Sequence, residues 1–294
     1  MSNKPEVICD LKKISEVCNL ARKTGKTVAL VPTMGALHKA HLKLVDLASQ
    51  EGDLVVVSIF VNPTQFAPGE DFDRYPRDLN KDVELLAPRG VDIVFAPSAE
   101  DMYPTNAATT VNVSGITQHL CGAHRPGHFA GVATIVTKLF NIVGPCTSIF
   151  GRKDYQQIQV IIQMTRDLNM PVKIIGASTI RESDGLAMSS RNTYLSKNER
   201  TRALSIPKGL HAAHQAFKQG EHNTDKLKKI VLHSIKPNVD GIDYVTAADP
   251  ITLVPLSDSA IIKEKILIAV AVKIGKTRLI DNTVIGEDKP PYAS

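Results

Sequence analysis

No tryptophan occurs among the 294 residues, and aromatic side chains make up only 5% of them, 6 Tyr and 8 Phe. A surface that stacks successive bases needs more aromatic faces than this, which argues against a nucleic-acid partner. Cysteine is scarce as well. Cys9, Cys18, Cys121 and Cys146 are scattered with no C-x-x-C pair, and read as reduced thiols of a cytoplasmic protein. Long apolar runs are missing. The longest, Ile266 to Val272, is bounded by Lys265 and Lys273, far short of the roughly 20 residues that span a bilayer. No membrane association is expected. The opening MSNKPEVICDLKK lacks an apolar centre and a cleavage site, so a secretory signal is not expected either.

What is present is the composition of a globular protein, 43% hydrophobic and 22% charged, which excludes disorder, collagen and coiled coil. A chain of this length buries roughly 75% of its unfolded surface and needs no disulfide or metal to fold. The 35 basic and 30 acidic side chains leave a net charge of +5. That is a weak pointer to an anionic partner, nucleic acid or phosphorylated small molecule.

The first part of the chain alternates strand and helix signals. Helical stripes fall on DLKKISEVCNLARKTGK, LHKAHLKLVDLASQEGD, LNKDVELLAPRG, GVATIVTKLFNIVGP and YQQIQVIIQMTRDLNMP. Short β-branched runs fall on TVALVPT, DLVVVSIFVNP, VDIVFAP, CTSIFG and VKIIGAST. Apolar runs without alternation suit strands buried on both faces, and this order predicts an α/β fold with a Rossmann-like parallel sheet. After Asn192 the pattern changes. KNERTRALSIPKGLHAAHQAFKQG reads as one helix and TDKLKKIVLHSIK as another, followed by strands in GIDYVTAADP and EKILIAVAVKIGKTRLIDNTV. The expectation is a catalytic domain over residues 1–189 and a smaller α+β domain over residues 190–294.

Ligands of open parallel sheets bind at the carboxyl ends of the strands, and six polar clusters fall there or in nearby loops. In PTMGALHKAH, Gly35 permits a tight turn into a helix whose N-terminus offers N–H groups to an anion. His38 and His41, one helical turn apart, could donate to a phosphate; a plain surface or core pair and a metal pair are the rivals. In VNPTQF, Asn62 and Gln65 suit a hydroxyl or carboxylate substrate, although Asn-Pro also simply builds a turn. In DFDRYPRDLNKD, Asp82 could hold Mg²⁺ through waters, or belong to a solvated charged loop. Arg125 and His128 in HRPGHFAGV make an anion-facing helix entry. In FGRKDYQQ, Lys153 can act as a point charge on phosphate, Gln157 can orient a polar substrate, and Asp154 can meet a ribose hydroxyl or anchor Lys153. In RESDGLAMSSRN, two hydroxyls beside Arg191 form a donor set for outer phosphates, with Gly185 allowing the loop to flex and close.

Together PTMGALHKAHLKLV, NPTQF, YPRDL, HRPGHFAGVATIV, FGRKDYQQ and RESDGLAMSSRN, in this order and spacing, resemble the pantoate–β-alanine ligase family; GIDYV and TRLIDN fit its C-terminal part. The His-x-x-His turn and M-S-S-R loop resemble the signatures of the wider nucleotidyltransferase superfamily. The resemblance implies condensation of pantoate with β-alanine through a pantoyl adenylate, with ATP as substrate, Mg²⁺ as cofactor, and a homodimer with a C-terminal lid. It implies that Met34, Gly35, Ala36, Leu37, His38, Lys39, Ala40 and His41 line the ATP site, His41 being catalytic with His38 beside it. It further implies that Gly151, Arg152, Lys153 and Asp154 contact ATP, with Lys153 on phosphate, and that the backbone of Ile180 meets adenine. Met188, Ser189, Ser190 and Arg191 would close over the outer phosphates, giving Ser189 and Arg191 catalytic parts. Gln65 and Gln157 would hold pantoate, with Asn62, Arg125 and His128 on the organic substrates' side and Asp82 near Mg²⁺. Three positions depart from the family pattern: Ala40 for Gly, Arg152 for an acidic residue, and Asp78 for Thr. A related enzyme with another acceptor is the competing reading, against which the neutral Gln65 and Gln157 argue for any strongly anionic acceptor. Charge is no guide: 20 basic face 19 acidic side chains up to Leu195, and 15 face 11 beyond it.

Overall fold

The computed structural model describes residues 4–292. Within them the chain forms β1 (Glu6–Ile8), α1 (Leu11–Lys23), β2 (Val28–Thr33), α2 (Lys39–Glu51), β3 (Leu54–Ile59), α3 (Leu79–Leu86), β4 (Ile93–Phe95), α4 (Ala99–Met102), α5 (Leu120–His124), α6 (His128–Val143), β5 (Cys146–Gly151), α7 (Tyr155–Asp167) and β6 (Val172–Ala177). There follow α8 (Lys197–Ala203), α9 (Ser205–Lys218), α10 (Thr224–Ile235), β7 (Gly241–Ala248), β8 (Ile266–Ile274) and β9 (Thr277–Ile285). Single 3₁₀ turns cover Pro63–Gln65 and Ser190–Tyr194, among others.

Strands β1 to β6 form one wholly parallel sheet in the order β1-β4-β3-β2-β5-β6. The expected strands are present, and a sixth, β1, is added at the edge beside β4. It has three residues, of which only Ile8 is buried, too short a run to show periodicity. Inside the sheet, Ala29, Val31, Val55, Val57 and Ile149 pack with Val45, Ala48 and Leu86 from the helices. Each fully buried aliphatic side chain contributes about 1.5–3 kcal/mol. The chain runs from β2 outward to β3 and β4 on one side, and from β5 to β6 on the other. The direction of winding therefore reverses between the neighbours β2 and β5, the place where doubly wound sheets open a crevice for ligands.

The three C-terminal strands form an antiparallel sheet, β7-β8-β9. Its central strand is the apolar run noted above, buried at every position from Ile266 to Val272. Leu210, Leu227 and Val231 of α9 and α10 share its core cluster. The segment read as one helix from Lys197 is two, α8 and α9, broken at Leu204. Pro207 is the reason. It has no N–H for the carbonyl of Ala203, and its ring crowds that carbonyl in a continuous helix.

Packing divides the chain into two compact units whose segments interleave: residues 1–113, 125–152 and 157–177 in the first, and residues 114–124, 153–156 and 178–294 in the second. Among the described residues no helix is long and apolar enough to cross a membrane. Burial pushes the thiols of Cys18 and Cys146 up to about 11 and about 12.

Candidate active site

Three of the six polar clusters lie at carboxyl ends of the parallel sheet. Met34–His41 follows β2, Asn62–Gln65 follows β3, and Gly151 and Arg152 end β5, all within the first unit. The first and third flank the reversal point.

The turn after β2 is held by side chains from elsewhere. Thr33 Oγ1 donates to the Ser58 carbonyl at 2.7 Å and accepts the Gly35 N–H at 3.2 Å. Gly35 and Ala36 take successive left-handed conformations, φ 76° and 51°; for Ala36 this costs about 1–2 kcal/mol. The Asp82 carboxylate spans the turn, accepting the N–H of Ala36 on Oδ2 at 3.0 Å and that of Leu37 on Oδ1 at 2.8 Å. His38 then caps α2 with extended backbone, so the two histidines are cap and third residue rather than two helical positions. The His38 N–H donates to His41 Nδ1 at 3.4 Å, and the rings stack with centroids 4.1 Å apart. A neutral His41 that accepts at Nδ1 carries its proton on Nε2, where it can donate to a ligand.

Asn62, 1% exposed, fills its hydrogen-bonding capacity. Its Oδ1 accepts from Tyr103 Oη at 2.8 Å and Thr64 Oγ1 at 2.9 Å; its Nδ2 donates to Gln65 Oε1 at 3.0 Å and the Gly131 carbonyl at 3.2 Å. Gln65 Nε2 lies 3.0 Å from Met34 Sδ, linking this cluster to the turn after β2. The Gln65 carbonyl is bound in turn by His128 Nδ1 at 2.8 Å and Arg125 Nη2 at 3.3 Å. Arg125 Nη1 also meets His128 Nε2 at 3.0 Å. An arginine always donates, so His128 accepts at Nε2 and, when neutral, donates from Nδ1. Glu70 anchors the arginine through Nε at 2.7 Å and Nη2 at 2.5 Å. Burial works to raise the Glu70 carboxyl, but Arg125, the Ala67 amide and His128 outweigh it and hold it below the usual carboxylate range. Sequence reasoning missed Glu70 and Tyr103. Only the left-handed Gly69 beside Glu70 marks the place locally, while its partner lies 55 residues away.

Gln157 sits in the first turn of α7, partly exposed. Its neighbour Gln156 is buried and donates to the carbonyls of Ile116 and His119 at 2.9 and 2.8 Å. Gly151 and Arg152 close β5 within the first unit. Asp78, one of the departures from the family pattern, caps α3 by accepting the Lys81 N–H at 3.1 Å. Ala40 lies in the first turn of α2.

In the second unit Lys153 Nζ is 3.6 Å from Asp154 Oδ1, and the Lys153 carbonyl accepts from Asn282 Nδ2 at 2.7 Å. The segment from Arg181 to Asn192 is a pinned loop. The Met188 N–H donates to the Ile180 carbonyl at 3.0 Å, so one backbone group of Ile180 is engaged inside the loop. Arg181 grips Asp281 at 2.7 and 3.1 Å and the Gly185 carbonyl at 3.1 Å. Arg200 joins Glu182 at 2.8 Å and Asp184 at 2.6 Å, and Asn192 Nδ2 donates to Glu182 Oε1 at 2.7 Å. Ser189 Oγ accepts the Arg191 N–H at 3.3 Å and caps the 3₁₀ turn that contains Ser190 and Arg191. Gly185 (φ 89°) is closely approached by Tyr292, whose Cε1 would lie 2.2 Å from a Cβ there. Its lack of a side chain serves that approach.

Magnesium does not fit Asp82 as a direct ligand. The residue is 3% exposed and both carboxylate oxygens are taken by backbone amides. Among the described residues no group of three or more His, Cys, Asp or Glu could hold a metal.

A parallel sheet reversing at β2 and β5, with polar loops at that crevice, places the first unit in the Rossmann-like α/β class. The family model for pantoate-beta-alanine ligase matches residues 6–284, and the chain belongs to that family. It is 52% identical to the pantothenate synthetase of Geotalea daltonii, with 96% of this chain and all of that one aligned. It is likewise 52% identical to the pantothenate synthetase of Acetivibrio thermocellus, over 95% and 98% of the two chains. The crystal structure of pantothenate synthetase from Thermus thermophilus matches with a TM-score of 0.88 at 42% identity, covering 95% of this chain and 98% of that one. Pantoate-beta-alanine ligase from Francisella tularensis, complexed with beta-gamma ATP and beta-alanine, matches at 0.76 and 33% identity, over 97% and 99%.

Proposed function

We propose that this chain condenses (R)-pantoate with β-alanine at the expense of ATP, releasing AMP and pyrophosphate and forming pantothenate. The observation that carries the reading is the family match along residues 6–284, with the histidine turn, the Asn62–Gln65 cluster and Gly151–Arg152 at neighbouring strand ends of the first unit. In the first step a pantoate carboxylate oxygen attacks the ATP α-phosphorus, the bond to the bridging oxygen breaks, and pyrophosphate leaves. In the second the β-alanine amine attacks the acyl carbon of pantoyl adenylate, AMP leaves, and the nitrogen loses its proton. No protein nucleophile takes part, so catalysis rests on positioning and on stabilising phosphate charge.

In this reading His41 donates from Nε2 to phosphate oxygen with His38 stacked beside it, and the backbone and side chains from Met34 to His41 line the nucleotide. Gly151, Arg152, Lys153 and Asp154 continue the nucleotide site, Lys153 as a charge on phosphate, with the backbone of Ile180 at the base. Met188, Ser189, Ser190 and Arg191 serve the β- and γ-phosphates, and the C-terminal domain acts as a lid. Gln65 and Gln157 hold pantoate, Asn62 keeps Gln65 in place, and Arg125 and His128 shape the side from which the second substrate enters. Magnesium bound together with ATP would neutralise phosphate charge. The enzyme works as a homodimer in the cytoplasm.

The test is AMP release from ATP, Mg²⁺, pantoate and β-alanine. AMP formation that requires both organic substrates supports the reading, and AMP formation independent of either one rejects it. Pyrophosphate release with other acceptors and not with pantoate would identify a different nucleotidyltransferase.

A further inference from the structure

Asp82 stands in the first turn of α3, yet its carboxylate makes its hydrogen bonds 45 and 46 residues away, to the N–H groups of Leu37 and Ala36. Those amides belong to a turn that does not form by default. Two successive residues are left-handed there, and one of them is alanine. A carboxylate is the smallest side chain that presents two acceptors on one rigid plane, and charge-assisted bonds from it are about twice as strong as neutral ones. The fit is close. A Cβ on Gly35 would lie 2.9 Å from Asp82 Oδ2 and 3.1 Å from Ile59 Cγ2, so only glycine leaves the carboxylate its place. The turn leads directly into His38, the cap of α2, and into His41, which accepts the His38 N–H.

We propose that Asp82 is a positioning residue of the reaction. It holds the Gly35–Leu37 backbone in the conformation that sets the His38 and His41 rings against the nucleotide, and it is not a ligand of magnesium. The proposal rests on the ligase reading for the identity of the nucleotide. The hold on the turn rests on geometry alone.

Two alternatives make opposite forecasts. If Asp82 acts through the turn, its loss weakens ATP whether or not magnesium is present. If it ligates magnesium, its loss matters only when the metal is there. The experiment measures ATP binding to the full chain by calorimetry, without pantoate, once in Mg²⁺ and once in EDTA, for wild type, Asp82→Asn and Gly35→Ala. Asparagine keeps the shape but turns an NH₂ toward one backbone N–H, and alanine at Gly35 displaces the carboxylate without altering it. Both variants are expected to weaken ATP about tenfold or more, by the same factor in both buffers, as for loss of a hydrogen bond to a charged group. Hydrogen exchange at the Ala36 and Leu37 amides reports the turn directly and needs no ligand. It is expected to be slow in wild type and at least about tenfold faster in both variants, while amides in β8 stay unchanged. Affinity lost only in Mg²⁺ overturns the proposal, as does unchanged exchange at Ala36 and Leu37. If Asp82→Asn does not fold, Gly35→Ala alone decides by the same two criteria. Wild type that binds no ATP rejects the ligase reading instead, and the exchange result still upholds or overturns the hold on the turn.

Discussion

Asn62 donates to Gln65 Oε1 at 3.0 Å while its other amide hydrogen reaches the Gly131 carbonyl at 3.2 Å, so one buried side chain ties the candidate pantoate ligand to helix α6. Replacing Asn62 by alanine takes one partner each from the Tyr103 and Thr64 hydroxyls, which keep one another at 3.2 Å, and from Gln65 Oε1 and the Gly131 carbonyl. The expected cost is about 1–3 kcal/mol of stability for the lost hydrogen bonds, seen as a lowered midpoint in urea. The KM for pantoate should rise more than the KM for ATP.

Gly131 makes a second route to the same cluster. A Cβ there would lie 2.3 Å from the Thr64 carbonyl oxygen and 2.7 Å from the Gln65 nitrogen, both backbone atoms that cannot swing aside. Gly131→Ala is expected to push the Pro63–Gln65 turn off α6 and raise the pantoate KM about tenfold or more, with ATP affinity measured in the absence of pantoate unchanged. Steady-state titration of each substrate checks this.

His41→Ala removes the donor assigned to phosphate and is expected to lower the adenylation rate by about 100-fold or more, followed as pyrophosphate release in single turnover. Gln65→Ala should instead weaken pantoate more than ATP. Near-normal turnover by His41→Ala, or the reverse order for Gln65→Ala, contradicts the assigned roles.

The pinned loop in the second unit depends on a buried ion pair. The side chains of Asp281 and Arg181 are 1% and 16% exposed. Asp281→Asn leaves Arg181 charged with half its partner, a defect that costs about 3–5 kcal/mol when a buried pair is broken outright. The expected result is a lowered Tm together with weaker binding of ATP. A larger loss for ATP than for AMP would locate the effect at the outer phosphates, where Met188–Arg191 is assigned.

Acid should destabilise the protein through His214. Its Nε2 is 2.6 Å from Thr283 Oγ1 inside the second unit. Burial, followed by the charges of His211 and Arg181, pulls its pKa from the ordinary 6.5 down to about 4. The unfolded chain then takes up a proton below about pH 6.5 that the folded chain refuses until about pH 4. Stability is complete above this window and falls as pH drops through it, by about 3 kcal/mol at most. Tm measured from pH 7 to pH 4 should fall less steeply in His214→Gln than in wild type.

The parallel sheet was legible where apolar runs are long enough to show. TVALVPT, VVVSIF and CTSIFG mark strands because both their faces are largely covered, and VKIIGAST shows through its apolar run although β6 is an edge strand with only Ala177 buried. Glu6–Ile8 leaves no such mark, since three residues with one buried side chain carry no period. Pro207 was visible as a residue, but the break it causes depends on whether the chain tries to stay helical through it. The polar clusters were legible because strand ends put them there. Asp82 and Glu70 look like members of a charged loop, and their meaning lies in partners 46 and 55 residues away, a distance over which neither periodicity nor spacing carries information.

The interleaving of the two compact units bears on how the chain can be cut. Gln156 gives its amide to the carbonyls of Ile116 and His119, Tyr155 Oη donates to the Pro250 carbonyl, and Arg278 reaches Cys121 Sγ at 3.5 Å. A fragment beginning at residue 178 would carry Pro250 and Arg278 into solution without these companions. The C-terminal portion is therefore not a cassette that recombination could splice onto another sheet. It travels with two other, separate stretches of the gene, those for residues 114–124 and 153–156, or not at all.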